Sequence, residues 1–466
     1  MKHAVVIGGG MGGLATALAL SRAGHRVTVL ERDVLPSSDD PDAAFAAERR
    51  GAPQVHQTHG FLARLQVTLR DRFPDVFVDL MNAGCWTMST TANLGEPQPG
   101  DEDLKVIIVR RTTLEWVLRR AVLAQSGVEV RSGTGVSALL ADHGDGVPVV
   151  TGVRLEDGTT VDADLVVAAN GRRSAMPAWL AEVGVDVPEK VRESGLMYLT
   201  RWYQLPDERP IELDPKLGGD LGFVKFLAVP GDRGTLSVTL AVRSDDPELR
   251  AALSAEDRFD LACRHLPGPD RFFTNGPLPP IGGVRPMGGL LNRVRTFVDS
   301  SGQPTVLGFH VVGDAHTCTN PLYGRGCALA VLQAVFLADA LAQHPDDPAA
   351  RATAYEAACK RDVEPWYEVS VQMDKLGADP TGFAESAEGK SMAHVFVAAQ
   401  TDPVIGRAMV KFWNLMATPA DLASDPELLG RMAAVMADPD AYPIPPREGP
   451  SRDELLAKLA TEEDAA

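Results

Sequence analysis

The chain has 466 residues, 45% of them apolar and 23% charged. At roughly 150 residues per domain this is about three domains' worth of core, and such a composition excludes a largely disordered chain. Lys and Arg total 45 against 63 Asp and Glu, a formal net charge of −18; that average field repels a phosphate backbone and excludes nucleic-acid binding as a main role.

Residues 3–7, a β-branched run, predict a buried parallel strand. Gly8-Gly9-Gly10-Met11-Gly12-Gly13 follows, then an apolar helix over residues 14–23, and a second strand over 26–30 closed by Glu31. This is G-x-G-x-x-G in a complete βαβ setting, with an acid 18 positions after Gly13. Gly8 permits the tight turn, Gly10 lets a pyrophosphate approach the backbone, and Gly13 lets helix and strand pack closely. Free amides of the first helical turn hold the phosphates. Glu31 accepts the hydroxyls of an adenosine ribose and repels a 2′-phosphate, which leaves FAD or NAD as the dinucleotide. Met11 and Arg32, within and beside these elements, complete the expected binding set.

Residues 50–60 contain His56 and His59, three apart, without a carboxylate or cysteine at a known metal spacing; no metal is expected. Arg110-Arg111 precedes a helix that carries Leu114, Val117, Leu118, Ala121 and Val122 on one face. Residues 128–167 alternate and turn at Glu156-Asp157-Gly158, predicting a small β-meander. Asn170-Gly171-Arg172-Arg173-Ser174 then closes a short apolar run. Residues 194–203 alternate like a strand, so Tyr198 lies on the opposite face from Arg201 and Tyr203 and only one set can face a pocket. Residues 223–230 and 235–242 predict a hairpin around Gly231-Asp-Arg-Gly234.

Residues 305–312 read as a strand ending in Gly313-Asp314-Ala315, followed by Asn320-Pro321-Leu322-Tyr323-Gly324-Arg325-Gly326 and a helix over 327–341. This pattern resembles the glycine–aspartate segment of FAD-dependent monooxygenases of the aromatic-hydroxylase type, most closely the flavin epoxidase branch. Residues 50–60 and the Ser194-Gly195-x-x-Tyr198-x-x-Arg201 pattern are similar to that branch as well, and the meander resembles the one these flavoproteins insert after the preceding helix. The resemblance implies that Asp314 bonds the ribityl chain of FAD. It places Pro321, Gly324 and Gly326 along the pyrimidine edge of the flavin, and Arg111 against the cofactor. Helix dipole and free amides at such an N-terminus suit the negative charge of a reduced flavin. The family usually has Asp where this chain has Asn170, a departure at the segment that also serves the pyridine nucleotide.

The resemblance therefore implies an α/β fold: a Rossmann-like FAD-binding domain (1–72, 104–180 and 296–345), an antiparallel-sheet substrate domain (73–103 and 181–295), and a C-terminal helical region (346–466). Amphipathic helices are expected over 402–415 and 426–436, covering the sheet or the substrate entrance, before an acidic tail at 462–466. The implied reaction uses NAD(P)H and O2 to hydroxylate or epoxidise an apolar small molecule via a flavin C4a-hydroperoxide, with electrons delivered internally or by a separate flavin reductase. Cofactor chemistry of that kind explains why no sharp nucleophile–base constellation is present; His59, Arg201 and Tyr203 are the candidates for reaction-side residues. Two other readings stay open: a saturase-like flavin reductase that needs no O2, and a non-catalytic binding protein on the same fold. The Trp-x-Trp-x-Ile-Pro motif of flavin-dependent halogenases is absent. Five cysteines, odd in number and without a C-x-x-C pair, predict reduced thiols in a cytoplasmic protein. Neither a signal peptide nor a membrane span is expected, since the longest apolar stretch, 327–342, is broken by Gln333 and Asp339.

Overall fold

Five short strands with apolar, largely buried sequences align in parallel in the order Phe309–Val311, Leu165–Ala168, His3–Ile7, Arg26–Glu31, Val128–Ser132. In chain order this is 5-4-1-2-3, a doubly wound arrangement whose direction reverses beside the first strand, where dinucleotides bind. The computed structural model describes residues 1–35, 40–143, 146–206, 218–378, 386–446 and 448–461; the acidic tail at 462–466 lies outside them.

The helix Met11–Arg22 is buried on all sides from Met11 to Leu20. It packs between the helices Gly326–Gln343 and Arg111–Leu123, so its sequence carries no polar stripe. Gly326–Gln343 is long and apolar enough to cross a membrane, but 67% of that stretch is buried inside the protein. Its apolarity follows from this central position.

The expected meander is narrower than residues 128–167. Its strands are Val136–Asp142, Val149–Leu155 and Thr160–Asp162. Val128–Ser132 and Leu165–Ala168, at its two ends, join the parallel sheet instead. The strand expected over 305–312 shortens to Phe309–Val311, because Leu307 exchanges backbone hydrogen bonds with Pro148 and Val150 of the meander. Gly308 (φ +69°) makes that bend, where a Cβ would sit 2.3 Å from the Val150 carbonyl oxygen.

A second, antiparallel sheet runs Gly218–Asp220, Val224–Pro230, Thr235–Arg243, Leu196–Gln204, Arg285–Met287. The central hairpin turns at residues 231–234. Helices Pro247–Ser254 and Glu256–His265 cover one face, burying Leu199, Tyr203, Leu240, Phe259 and Cys263 together. Residues 74–85, expected with the substrate domain, pack instead into the core of the parallel sheet through Val76, Leu80 and Cys85. The C-terminal helices are likewise distributed. Tyr355, Cys359, Val363 and Trp366 enter the first core, whereas Leu455 and Leu459 enter the second. Pro403–Trp413 and Pro426–Ala437 form a small core of their own with Val395 and Ala398.

Two glycines of the first loop separate packing from binding. A Cβ on Gly13 would lie 1.8 Å from the Gly8 carbonyl oxygen, whereas one on Gly10 meets nothing within 4 Å. Gly13→Ala is expected to destabilise by roughly 3 kcal/mol or more, because backbone must move to admit the methyl group. Gly10→Ala should leave stability within about 1 kcal/mol of the parent, since only a helix-cap position changes. Denaturant unfolding of the two variants checks the contrast.

Candidate active site

The glycine loop is shaped by what lies behind it. Gly8 has φ +110°, its amide donates to the Leu30 carbonyl at 2.8 Å, and a Cβ there would strike the Ala169 carbonyl oxygen. No side chain caps the first turn of Met11–Arg22, and no acid occupies it. Those amides are therefore available to an anion. Met11 itself turns its side chain into the core and offers only its backbone.

Glu31 is buried beside this loop. Its Oε2 accepts from the Gly9 amide at 2.6 Å and its Oε1 from the Asp33 amide at 2.8 Å. Arg49, which the sequence reading did not single out, stands 3.6 Å from Glu31, 3.4 Å from Asp33 and 3.4 Å from Glu115. No periodicity marks Arg49, because it lies between regular elements. Arg32 is exposed at the strand end.

The second motif meets the first across Gly12, whose missing Cβ would touch Val312 at 3.3 Å and approach the Gly313 Cα at 3.9 Å. Asp314 follows in a 3-10 turn fixed by the Gly313 amide, which donates to the Gln333 side chain at 2.8 Å. Among the described residues its carboxylate makes no hydrogen bond and no ion pair. Burial pushes its pKa up, against the opposing pull of Arg111, Arg172 and Arg293. Gly326, the first residue of the central helix, would place a Cβ 3.5 Å from Asp314 Oδ1.

Arg111 enters the same space from the start of its helix. It donates to Glu115 at 2.9 Å and to His59 Nε2 at 3.0 Å. His59 Nδ1 faces the Gln57 carbonyl at 2.8 Å; a carbonyl only accepts, so Nδ1 carries the proton and Nε2 accepts from Arg111. Burial and then Arg111 hold the His59 pKa at about 3. His59 is thus neutral at ordinary pH and orients Arg111; it is not poised to move a proton. The neighbouring arginine is turned away: Arg110 donates from its backbone (2.7 Å) and from Nη2 (2.8 Å) to Asp232, which also accepts from Thr113 at 2.9 Å.

Gly324 (φ +66°) brings residues 320–326 against Gly60, where a Cβ would lie 3.2 Å from the Gly60 carbonyl oxygen. Pro321 is exposed. On the other side, Asn170 lies directly behind Gly8 and its buried Oδ1 has no partner. The open space at Gly10, the unpaired Asp314 carboxylate and the orphaned Asn170 oxygen all fit a polar dinucleotide along this trench.

Two candidates from the strand Leu196–Gln204 require correction. Arg201 donates to Glu256 at 2.7 Å and pairs with Asp260 at 2.9 Å, and the Tyr203 hydroxyl donates to Asp260 at 2.5 Å. Both lie on the face covered by helices, because Glu256–His265 supplies acids that neutralise the buried cation. The opposite face carries Tyr198, Thr200 and Trp202. Tyr198 donates to Asn320 at 2.8 Å, Thr200 to Gln57 at 2.6 Å, and Trp202 to the His56 carbonyl at 2.7 Å. The sequence reading also missed Asp374, which accepts from Asn320, Tyr323 and Asn292. Among the described residues no group of three or more His, Cys, Asp or Glu is arranged to hold a metal ion.

Because burial raises the folded-state pKa of Asp314, the folded chain binds a proton that the unfolded chain has already released. That contribution favours folding below an ordinary aspartate pKa and is lost as pH rises through the folded value. Asp314→Asn is therefore expected to stabilise the cofactor-free protein at neutral pH by on the order of 1 kcal/mol, with a gain that shrinks on acidification. Melting temperatures of both proteins across pH 4–8 measure it.

Comparisons with known proteins accord with this geometry. Residues 1–202 match the family described as FAD binding domain. Protein Rv3254 of Mycobacterium tuberculosis is 31% identical over 228 residues, covering 44% of this chain and 45% of that protein, so the chain spans less than half the length of that relative. Kynurenine 3-monooxygenase of Salinispora tropica is 27% identical over 378 residues, covering 77% of this chain and 76% of that enzyme. The solved structure of p-nitrophenol 4-monooxygenase PnpA from Pseudomonas putida shares the fold, with a TM-score of 0.61 at 19% identity over 90% of this chain and 99% of that one. With the glycine loop, Glu31 and the Asp314 turn brought together by the fold, residues 1–202 match an FAD binding domain, and the chain as a whole is similar in sequence to kynurenine 3-monooxygenase and in fold to p-nitrophenol 4-monooxygenase.

Proposed function

We propose that the protein is an FAD-dependent monooxygenase that uses NAD(P)H and O2 to hydroxylate or epoxidise a small apolar molecule. The observation that carries this reading is the Asp314 carboxylate, unpaired within a trench that also holds Arg111 and an unobstructed glycine loop. A half-buried carboxylate without partners is partly desolvated at a cost, and a hydroxyl-rich ligand offsets that cost. A non-catalytic protein would have no need to keep it.

Bound FAD supplies reduction by NAD(P)H and activation of O2, the chemistry that no side chain provides. Glu31 receives the adenosine hydroxyls and the amides of the first helix receive the pyrophosphate. Asp314 accepts from the ribityl hydroxyls. Arg111, held by His59 and Glu115, places a fixed cation in the trench, and the start of Gly326–Gln343 adds the positive end of a helix. These groups favour the more negative, reduced state of the cofactor. The sheet face carrying Tyr198, with Leu196, Ala241, Met287, Leu290 and Leu322 around it, forms an apolar wall that excludes water. That wall supports an apolar substrate. Electrons arrive from NAD(P)H directly or through a separate reductase. The five cysteines, all free and buried, support a reducing cytoplasmic setting.

Titration with FAD, followed by oxygen-electrode assays with NADH or NADPH and a panel of electron-rich arenes and alkenes, tests the proposal. A yellow holoprotein that consumes O2 with nucleotide oxidation is expected. Replacing Asp314 by Ala should weaken FAD by roughly ten- to a hundred-fold, the worth of hydrogen bonds to a charged group. A protein that cannot be reconstituted with FAD overturns the reading. Alkene reduction without O2 uptake would assign the saturase-like activity instead.

A further inference from the structure

Residues 320–326 are gripped from outside the trench by one helix of the C-terminal region, Pro365–Ala378. Trp366, Ser370, Met373 and Asp374 fall at intervals of four, three and one, a single stripe along that helix. Each contacts the loop. Arg325, fully buried, donates to the Ser370 hydroxyl at 2.8 Å and lies 3.6 Å from the Met373 sulfur. Its guanidinium lies over the rings of both Tyr323 (4.8 Å) and Trp366 (5.0 Å).

Asp374 closes the grip. Its Oδ1 accepts from Asn320 Nδ2 at 2.8 Å and from the Tyr323 hydroxyl at 2.7 Å, and its Oδ2 accepts from Asn292 Nδ2 at 2.6 Å. The network continues inward, because Asn320 Oδ1 accepts from both the Tyr198 hydroxyl (2.8 Å) and the Leu322 amide (3.1 Å). The Asn320 amide in turn donates to Asn292 Oδ1 at 2.7 Å. One carboxylate therefore ties together the loop, the strand Leu291–Arg295 and, through Asn320, the sheet face carrying Tyr198. Only an acceptor on both oxygens satisfies three donors at once.

We infer that Asp374 is a positioning residue that fixes residues 320–326 in the shape needed to present Gly324 and Gly326 to the cofactor. The inference rests on the reading that FAD fills the trench. Its physical basis is that residues 320–325 link the short strand Thr317–Cys318, just after the Asp314 turn, to the first turn of Gly326–Gln343 and belong to no strand or long helix. Burial raises the pKa of Asp374, while Tyr323, Asn320 and Asn292 oppose that rise. The three donors thus hold a charge that would otherwise be expelled.

The test compares wild type, Asp374→Asn and Tyr323→Phe as full-length proteins loaded with FAD. Asp374→Asn exchanges one acceptor oxygen for a donor that faces donors; Tyr323→Phe removes a single bond. Both variants are expected to weaken FAD, ten-fold or more for Asp374→Asn and less for Tyr323→Phe. Both should also shift the flavin absorbance maxima and midpoint potential in the same direction. A general loss of stability would not move the spectrum or potential of the cofactor that stays bound. Folded Asp374→Asn with wild-type spectrum and potential overturns the inference. Should Asp374→Asn fail to fold, Tyr323→Phe decides: a shift supports the inference, and an unchanged potential overturns it. Wild type that binds no FAD defeats the proposed function itself, a result distinguishable from either of these.

Discussion

The buried pair of Arg110 and Asp232 holds the two sheets in a fixed relation. Arg110 is 3% exposed and Asp232 0% exposed, and the carboxylate sits in the hairpin turn of the antiparallel sheet while the cation belongs to the residue immediately before Arg111–Leu123. A pair this deep is stable only when its hydrogen bonds are complete. Here the Arg110 amide, its guanidinium and Thr113 supply them, and Phe45 stacks on the guanidinium at 4.9 Å. With Arg110 committed to the other sheet, the next residue, Arg111, takes different partners, Glu115 and His59.

The trench itself is made mostly of absences. Gly8, Gly12, Gly13, Gly324 and Gly326 each stand where a Cβ would meet backbone or the Asp314 region within 4 Å. These close approaches allow two loops some three hundred residues apart to share one wall. Charge is then distributed along it: Glu31 near the glycine loop, Asp314 at the meeting point, and Arg111, Arg172 and Arg293 acting on Asp314. An acid held among cations, yet bonded to none of them, is an arrangement suited to a ligand that brings hydroxyl donors.

Around this trench the C-terminal helices act as structural parts of both halves. Tyr355 donates to the Val311 carbonyl at 2.5 Å behind the strand that leads to Asp314, and Arg452 pairs with Asp246 at 2.7 Å on the far sheet. The chain after residue 345 therefore joins both main cores through some helices, while Pro403–Trp413 and Pro426–Ala437 keep a small core of their own. It braces the cofactor-facing segments from behind, and Pro365–Ala378 braces residues 320–326 most directly.

Local sequence determined the parallel strands at residues 3–7 and 26–31, the glycine turn between them and the turn at Asp314. Each is signalled by short-range features, β-branched runs and glycines that allow positive φ. It also determined that Tyr198 and Arg201 lie on opposite faces of their strand, since alternation needs no partner. Tertiary structure alone decided which face meets Gln57 and Asn320 and which the helices cover, because that depends on where the acids of Glu256–His265 pack. The same dependence on distant partners hid Arg49, the neutral state of His59 and the triple-donor site of Asp374. None of these follows from residues nearby in the chain; each is created by burial and by charges that arrive from elsewhere in the fold.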